Sequence, residues 1–240
     1  NSSSLSKVLF WLIVSIFSGT SLLISAVYLY LTPQLPNIQS LKNIELQIPL
    51  RIYTESGQLI SEFGEQRRRP LEYNEIPSQF VNALIAAEDD SFFQHNGVDI
   101  KGLTRAAVQL IKTGKKKSGG STITMQVAKN YYLSSQKTFS RKFTEILLAL
   151  KIEQELSKEE ILELYLNKIY LGKRAYGIEA AAHVYYGVSV SELQLPQLAM
   201  LAGLPQAPSA ANPINNPKRA KERRNYVLAR MRTLNFIDQQ

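Results

Sequence analysis

Residues 77–97 read PSQFVNALIAAEDDSFFQHNG, and their spacing decides the fold class. Phe80, Val81, Leu84, Ile85 and Glu88 recur at helical intervals, which predicts an amphipathic helix whose apolar stripe ends in a carboxylate. Two readings of Glu88 stand at this point. The stripe aims it at the apolar side, beside Asp89, where desolvation, a neighbouring acid and a helix C-terminus each raise a carboxyl pKa and suit it to general acid–base work. Alternatively, the helix simply meets its polar boundary there and Glu88 faces solvent.

Downstream the pattern stays helical. Asp99 can cap a helix running through Ile111. KTGKKKSGG (Lys112 to Gly120) is basic and glycine-rich and reads, with the residues from 100, as a mobile segment. STITMQVAKNYYL restarts a helix with Ser121 or Thr122 as its cap. Phe139, Phe143, Ile146, Leu147 and Leu150 form an apolar stripe on the next helix, and Leu148 and Ile152 lie on its other side with Arg141 and Glu145. Ser157 and Glu160 form a capping box that opens the helix carrying EILELYLN. Leu195 to Leu204 is a further apolar helix, ended by Pro205 and Pro208, and a basic helix runs from Pro217 through Arg232. The class is mainly α.

Upstream, Leu50–Tyr53 and Leu59–Phe63 flank Glu55-Ser56-Gly57 as a short β-hairpin. Residues 32–48, with Pro33 and Pro36, read as linker. Arg67 to Arg69 form either a solvated turn or a contact with anionic headgroups. From Val8 to Leu31 run 24 residues without a charge. At ~1.5 Å per residue they reach about 36 Å, enough to cross a bilayer core with some tilt. Trp11 at one end and Tyr28 and Tyr30 at the other suit the two interfaces. The rivals are a cleaved signal peptide, for which the run is long and lacks an A-x-A-like site, and a soluble core helix, for which it lacks a wet face. Lys7 places the short side in the cytoplasm and everything after Thr32 outside. The expected division is thus 1–31 cytoplasmic stub and transmembrane helix, 32–76 linker with hairpin, 77–232 helical domain and 233–240 the start of a continuation. With no initiator methionine and a final helix that looks cut mid-course, a fragment of a longer chain is expected.

Among the 240 residues there is no cysteine, which excludes disulfides, thiolate nucleophiles and cysteine–zinc sites. The two histidines, His95 and His183, stand far apart and disfavour a histidine-built metal site. A net charge of +8 suits anionic partners. Lys129, Lys137, Arg141 and Lys142 fall within two neighbouring helices and their connection. They form either a solvated basic face or a set that neutralises a phosphate or pyrophosphate. Arg141 and Glu145 form either a structural ion pair, in the less favourable order for i,i+4, or a site where Arg141 meets an anion and Glu145 works beside it. Two motif matches are decoys. Lys112-Thr113-Gly114 and Ser134-x-x-Lys137 stand in the wrong order for a penicillin-recognising serine enzyme. GKKKSGGST lacks the spacing of a phosphate loop.

These residues carry a resemblance. EDDSFFQHNG (Glu88 to Gly97), GGSTITMQVAKN (Gly119 to Asn130), RKFTE (Arg141 to Glu145), EEILELYLNKIYLG (Glu159 to Gly172) and AYGIEAAAHVYYG (Ala175 to Gly187) resemble, in order and spacing, the five blocks of the family 51 peptidoglycan glycosyltransferases. The tail from Leu198 to Met231 looks like the end of this domain in bifunctional class A penicillin-binding proteins. Departures are Met125 for a common glutamine, Asp90 where many members carry arginine, and Lys137 where arginine is frequent.

The resemblance implies a lysozyme-like helical domain with Glu88 and Glu145 as its catalytic carboxylates. It implies substrate contacts from Asp89, Phe92, His95, Arg105, Ser121, Thr122, Gln126, Lys129, Lys137, Arg141 and Asn167. Glu88 would take the proton from the 4-hydroxyl of lipid II, and the growing glycan chain would lose undecaprenyl diphosphate as the new bond forms. Lys129, Lys137 and Arg141, with Arg105 a weaker candidate, would meet the leaving charge. No tightly bound cofactor is implied, though a divalent cation, Mg or Mn, is admissible near Glu145. Expected partners are the lipid bilayer, the inhibitor moenomycin and cell-wall elongation or division proteins, with no nucleic acid. The expected place is the bacterial inner membrane, single-pass, with the catalytic domain on the outer side. The competing functions are a lytic muramidase and a non-catalytic basic membrane scaffold.

Overall fold

In the computed structural model, which describes residues 2–41, 50–63, 69–114, 120–133 and 139–238, the hydrophobic periodicity is realised as a helical body with one small hairpin. The elements are α1 (Ser2–Leu31), β1 (Leu50–Tyr53), β2 (Leu59–Phe63), α2 (Ser78–Glu88), α3 (Ile100–Thr113) and α4 (Ile123–Tyr132). They continue with α5 (Phe139–Glu155), α6 (Lys158–Lys168), α7 (Ile178–Tyr186), α8 (Leu195–Ala202) and α9 (Pro217–Thr233). β1 and β2 pair antiparallel, Leu50 opposite Phe63, as the hairpin reading predicts.

Local chemistry sets the ends. Thr122 accepts from Met125 N and caps α4, so of the two candidate caps it is Thr122 that acts. Ser157 and Glu160 close the capping box on α6. At the other end α9 stops at Thr233, where Asn235 takes φ 58°. Phe236 N donates to Met231 O and Asn235 N to Arg232 O, the paired bonds of a left-handed helix stop. The final helix, which looks cut mid-course in the sequence, therefore ends at Thr233.

The body is two packed groups around one core: α2 lies on α8 and α9, and α4 lies on α5 and α6. On α5 the buried face differs from the expected stripe. Leu148, Ala149 and Ile152 are fully buried, whereas Phe143 and Leu150 are 47% and 39% exposed. Both sides of the helix are apolar, and contact with α4 selects the side shared with Glu145. Leu148→Ala should therefore cost about 3 kcal/mol in denaturant unfolding, and Leu150→Ala no more than about 0.5 kcal/mol. Equal losses would restore the other face.

The segment read as linker contributes to this body. Ile38 and Leu41 are buried in the core beside α5. Tyr132 Oη donates to Asn37 O at 3.1 Å. The backbone of Leu71 is clasped by Asn167, with Leu71 N to Oδ1 at 2.9 Å and Nδ2 to Leu71 O at 2.7 Å. A short apolar turn and one amide side chain thus dock stretches that composition alone marks as connection.

Residues Ser6–Leu31 of α1, with mean hydropathy 2.1, are long and apolar enough to cross a membrane. The most apolar 18-residue window of that stretch is not buried against the rest of the chain as a core helix is; only Leu31, at the end of the stretch, is buried among its described side chains.

Candidate active site

Glu88 closes the last turn of α2, where its stripe meets a cleft of about 400 Å³. The side chain is 13% exposed. Gln126, one turn into α4, donates its Nε2 to Glu88 Oε2 at 3.1 Å. The amide is oriented by Tyr165 of α6, whose hydroxyl donates to Gln126 Oε1 at 3.4 Å. Burial pushes the Tyr165 phenol well above its ordinary range, with the Glu88 and Asp89 charges adding to the effect, so it remains a donor. Arg223 of α9 places Nη2 3.9 Å from Glu88 Oε1. Burial raises the Glu88 pKa above the usual carboxylate value. The Gln126 hydrogen bond and the Arg223 charge oppose that rise, Asp89 adds to it and Lys129 opposes it. Of the two sequence readings, the structure selects the desolvated one.

The chain after Glu88 is tied down by Asp89. This buried carboxylate accepts from His95 Nε2 at 3.0 Å and from Ile123 N, the first residue of α4, at 2.9 Å. One side chain therefore joins the end of α2, the loop 89–97 and the start of α4. Gly97 ends the loop at φ 86°, so close to α5 that a Cβ would meet Ala149 O at 2.6 Å. Its carbonyl accepts from Thr122 Oγ1 at 2.6 Å. Lys158, donating to His95 O and Glu153 Oε1 at 2.7 Å each, lies over the Phe92 ring 4.4 Å from its centroid.

Of the residues expected to touch a substrate, Glu88, Asp89, Arg105, Ser121, Thr122 and Gln126 line the cleft. Phe92, His95 and Asn167 do not. Phe92 is fully buried, His95 is spent on Asp89, and Asn167 is spent on Leu71. Here the three side chains brace the fold, their polar atoms and surface directed to partners inside it. Lys129 is outside the lining but acts on Glu88 through its charge. Lys137, Arg67 and Arg68 lie outside the described residues; Arg69 is half-buried with Nη1 2.7 Å from His183 Nε2, which favours a structural turn there.

Glu145 is 2% exposed and forms an ion pair with Lys142 at 2.6 Å. Lys142 also donates to Ser121 Oγ at 2.8 Å, so the pair reaches the cleft wall through Ser121. Arg141 is half-buried on the same helix. Met125, the substitution for glutamine, is fully buried. Asp90 pairs with Arg230 of α9 at 2.6 Å. Among the described residues no group of three or more His, Asp or Glu side chains is placed to hold a metal ion.

Sequence reasoning missed the opposite wall of the cleft: Gln206, Arg223, Tyr226 and Arg230. A signal was present in the basic helix, where 223, 226 and 230 share one face, but nothing in the spacing says that face turns toward Glu88.

The fold is mainly helical, and a desolvated carboxylate lies on the wall of a cleft lined by both acids and arginines. The chain belongs to the transglycosylase family, whose model matches residues 56–232. It is 59% identical over 234 residues to penicillin-binding protein 1A of Pseudomonas aeruginosa, covering 98% of this chain and 28% of that protein. To penicillin-binding protein 1A of Escherichia coli it is 51% identical over 217 residues, covering 90% of this chain and 26% of that protein. A crystal structure of penicillin-binding protein 1A from Haemophilus influenzae aligns at 34% identity and a TM-score of 0.47, covering 82% of this chain and 20% of that one. The chain thus spans about a quarter of the length of the curated relatives it matches.

Proposed function

We propose that the domain is a peptidoglycan glycosyltransferase that polymerises lipid II, with Glu88 as its base. The observation that carries the reading is Glu88 itself: a carboxyl at the mouth of a cleft, raised in pKa by burial, aimed by Gln126 and backed by Arg223. The Glu88 carboxylate takes the proton of the acceptor sugar's 4-hydroxyl as that oxygen attacks C1 of the donor. The O–C1 bond forms with inversion while the bond from C1 to the pyrophosphate breaks. The electron pair goes to the undecaprenyl diphosphate. Lys129, Lys137, Arg141 and Arg105 supply the positive charge that this leaving group needs.

Glu145 serves the reaction by holding Lys142 and Ser121 rather than by exchanging a proton, a role that its burial and its 2.6 Å contact with Lys142 favour. A divalent ion enters only as a counter-ion of the pyrophosphate. Moenomycin, an anionic phosphoglycolipid, fits the same cleft. The α1 segment anchors the domain with its body on the outer side, and the exposed Ile100, Val108 and Ile111 of α3 suit work beside lipid. Family membership disfavours the lytic and scaffold readings. Purified protein given labelled lipid II should yield long β-1,4 glycan and free undecaprenyl diphosphate in equal step. Shortening of preformed glycan, with no synthesis, overturns the proposal.

A further inference from the structure

Arg223 sits seven positions into α9, and three contacts hold its side chain in place. Its Nε donates to Gly203 O at 3.2 Å. The guanidinium lies over the Tyr226 ring, 4.5 Å from the centroid. The stem passes so near the end of α8 that a Cβ on Gly203 would come within 2.8 Å of Arg223 Cγ. Gly203 has φ −80°, which any residue adopts, so space and not backbone conformation is what a side chain there would violate.

The result is a guanidinium only 16% exposed, with one edge facing Glu88. Seven residues further along the same face, Arg230 donates Nη2 to Asp90 Oδ2 at 2.6 Å and Nε to Ala86 O at 3.4 Å. Two arginines, two turns apart on α9, thus meet two carboxylates that are two residues apart at the end of α2. The pair at Asp90 is the tighter, at 2.6 Å against 3.9 Å at Glu88.

We propose that Arg223 is a positioning residue for the reaction: it keeps the Glu88 carboxylate ionised and turned into the cleft, while Arg230 and Asp90 clamp α9 to the end of α2. The inference rests on Glu88 being the base. The charged and titratable groups that face Glu88 are Arg223 from α9, Lys129 from α4, Asp89 from the following loop and Tyr165 from α6; Gln126 is its neutral donor. Of the two cations, Arg223 opposes the upward pull of burial more strongly than Lys129 does. A base needs its charge before the hydroxyl arrives, and a nearby fixed cation supplies that without taking the proton itself. At 3.9 Å the guanidinium is near enough to favour the anion yet makes no short hydrogen bond that would hold it back from accepting a proton.

Polymerisation of labelled lipid II by the full chain, followed from about pH 5 to about pH 9 with wild type, Arg223→Gln and Arg223→Lys, tests this. The wild-type rate rises with pH as Glu88 ionises. In Arg223→Gln the rise moves to higher pH, by a unit or so, so the loss is about tenfold at the foot of the curve and small on its plateau. Arg223→Lys lies between the two, because an ammonium keeps the charge but loses the fork that spans Gly203 O and Glu88. Unmoved curves in both variants, or the same loss at every pH, overturn the role of Arg223. If Arg223→Gln does not fold, the position of the Arg223→Lys curve decides alone. A wild-type chain that leaves lipid II unchanged sinks the assignment of Glu88 and this inference with it, whereas an active variant with an unmoved curve sinks the inference only.

Discussion

Glu88→Gln should abolish glycan synthesis while making the protein harder to melt at alkaline pH. The amide keeps the size of the side chain but cannot accept the acceptor's proton, and loss of a positioned general base costs about 10²–10⁴ in rate. Lipid II turnover by the variant is therefore expected to fall by at least about a hundredfold at every pH, with no recovery on the alkaline side. The stability effect has the opposite sign. Burial raises the Glu88 pKa in the folded state, so the unfolded chain gives up this proton at lower pH than the folded one. Below the unfolded pKa the carboxyl is protonated in both states and costs nothing. As pH climbs through the folded value, the native state must carry a desolvated charge, and stability falls. Glutamine carries no charge at any pH, so the melting temperature of Glu88→Gln should exceed that of wild type by a margin that widens with rising pH. Near-normal polymerisation by the variant rules out Glu88 as the base. A margin that narrows with pH rules out burial as the cause of its raised pKa.

The two halves of that result were not equally visible in the sequence. That Glu88 faces inward follows from Phe80, Val81, Leu84 and Ile85, because helical periodicity alone turns the fourth and eighth positions to one side. The helix start at Ser157, and that at Ser121 or Thr122, are legible for the same local reason: a cap is made by residues three apart in the chain. The other wall of the cleft was not legible. Arg223 reaches Glu88 from the far end of the sequence, and a basic helix surface has the same composition whether it faces water or a carboxylate. The face of α5 was misread because both of its sides are apolar, and only the docking of α4 chooses between them.

The motif residues needed the structure for a different reason. EDDSFFQHNG fits the family as one block, yet its members do different work: Glu88 and Asp89 line the cleft, while Phe92 and His95 brace the loop behind it. Pattern matching sees that a position is constrained and does not see whether the constraint comes from a ligand or from Lys158 lying over a ring. Asn167 is the sharpest case. Its amide satisfies both backbone groups of Leu71, a contact across the chain that no local rule signals.

Asp89→Ala should damage the fold more than any other single change at the site. The carboxylate side chain is 4% exposed and holds His95 on one side and the first amide of α4 on the other. Truncation leaves a buried imidazole and a buried N–H without their acceptor, a loss of about 3–5 kcal/mol when the removed group is one partner of a buried pair. For a domain of this size that corresponds to a fall in melting temperature on the order of 10 °C. Asp89→Asn retains one acceptor oxygen and should lose less than half as much, since Oδ2 alone accepts from both Ile123 N and His95 Nε2. Activity should fall with stability in the alanine variant even at temperatures where it is folded. Asp89 fixes the start of α4, and Gln126, which orients Glu88, sits one turn further along that helix. Thermal unfolding of the two variants beside wild type, with lipid II turnover measured well below each melting point, separates these effects. An alanine variant that melts with wild type shows that His95 and α4 are held by other contacts. A folded alanine variant with full turnover shows that Gln126 keeps its place without Asp89.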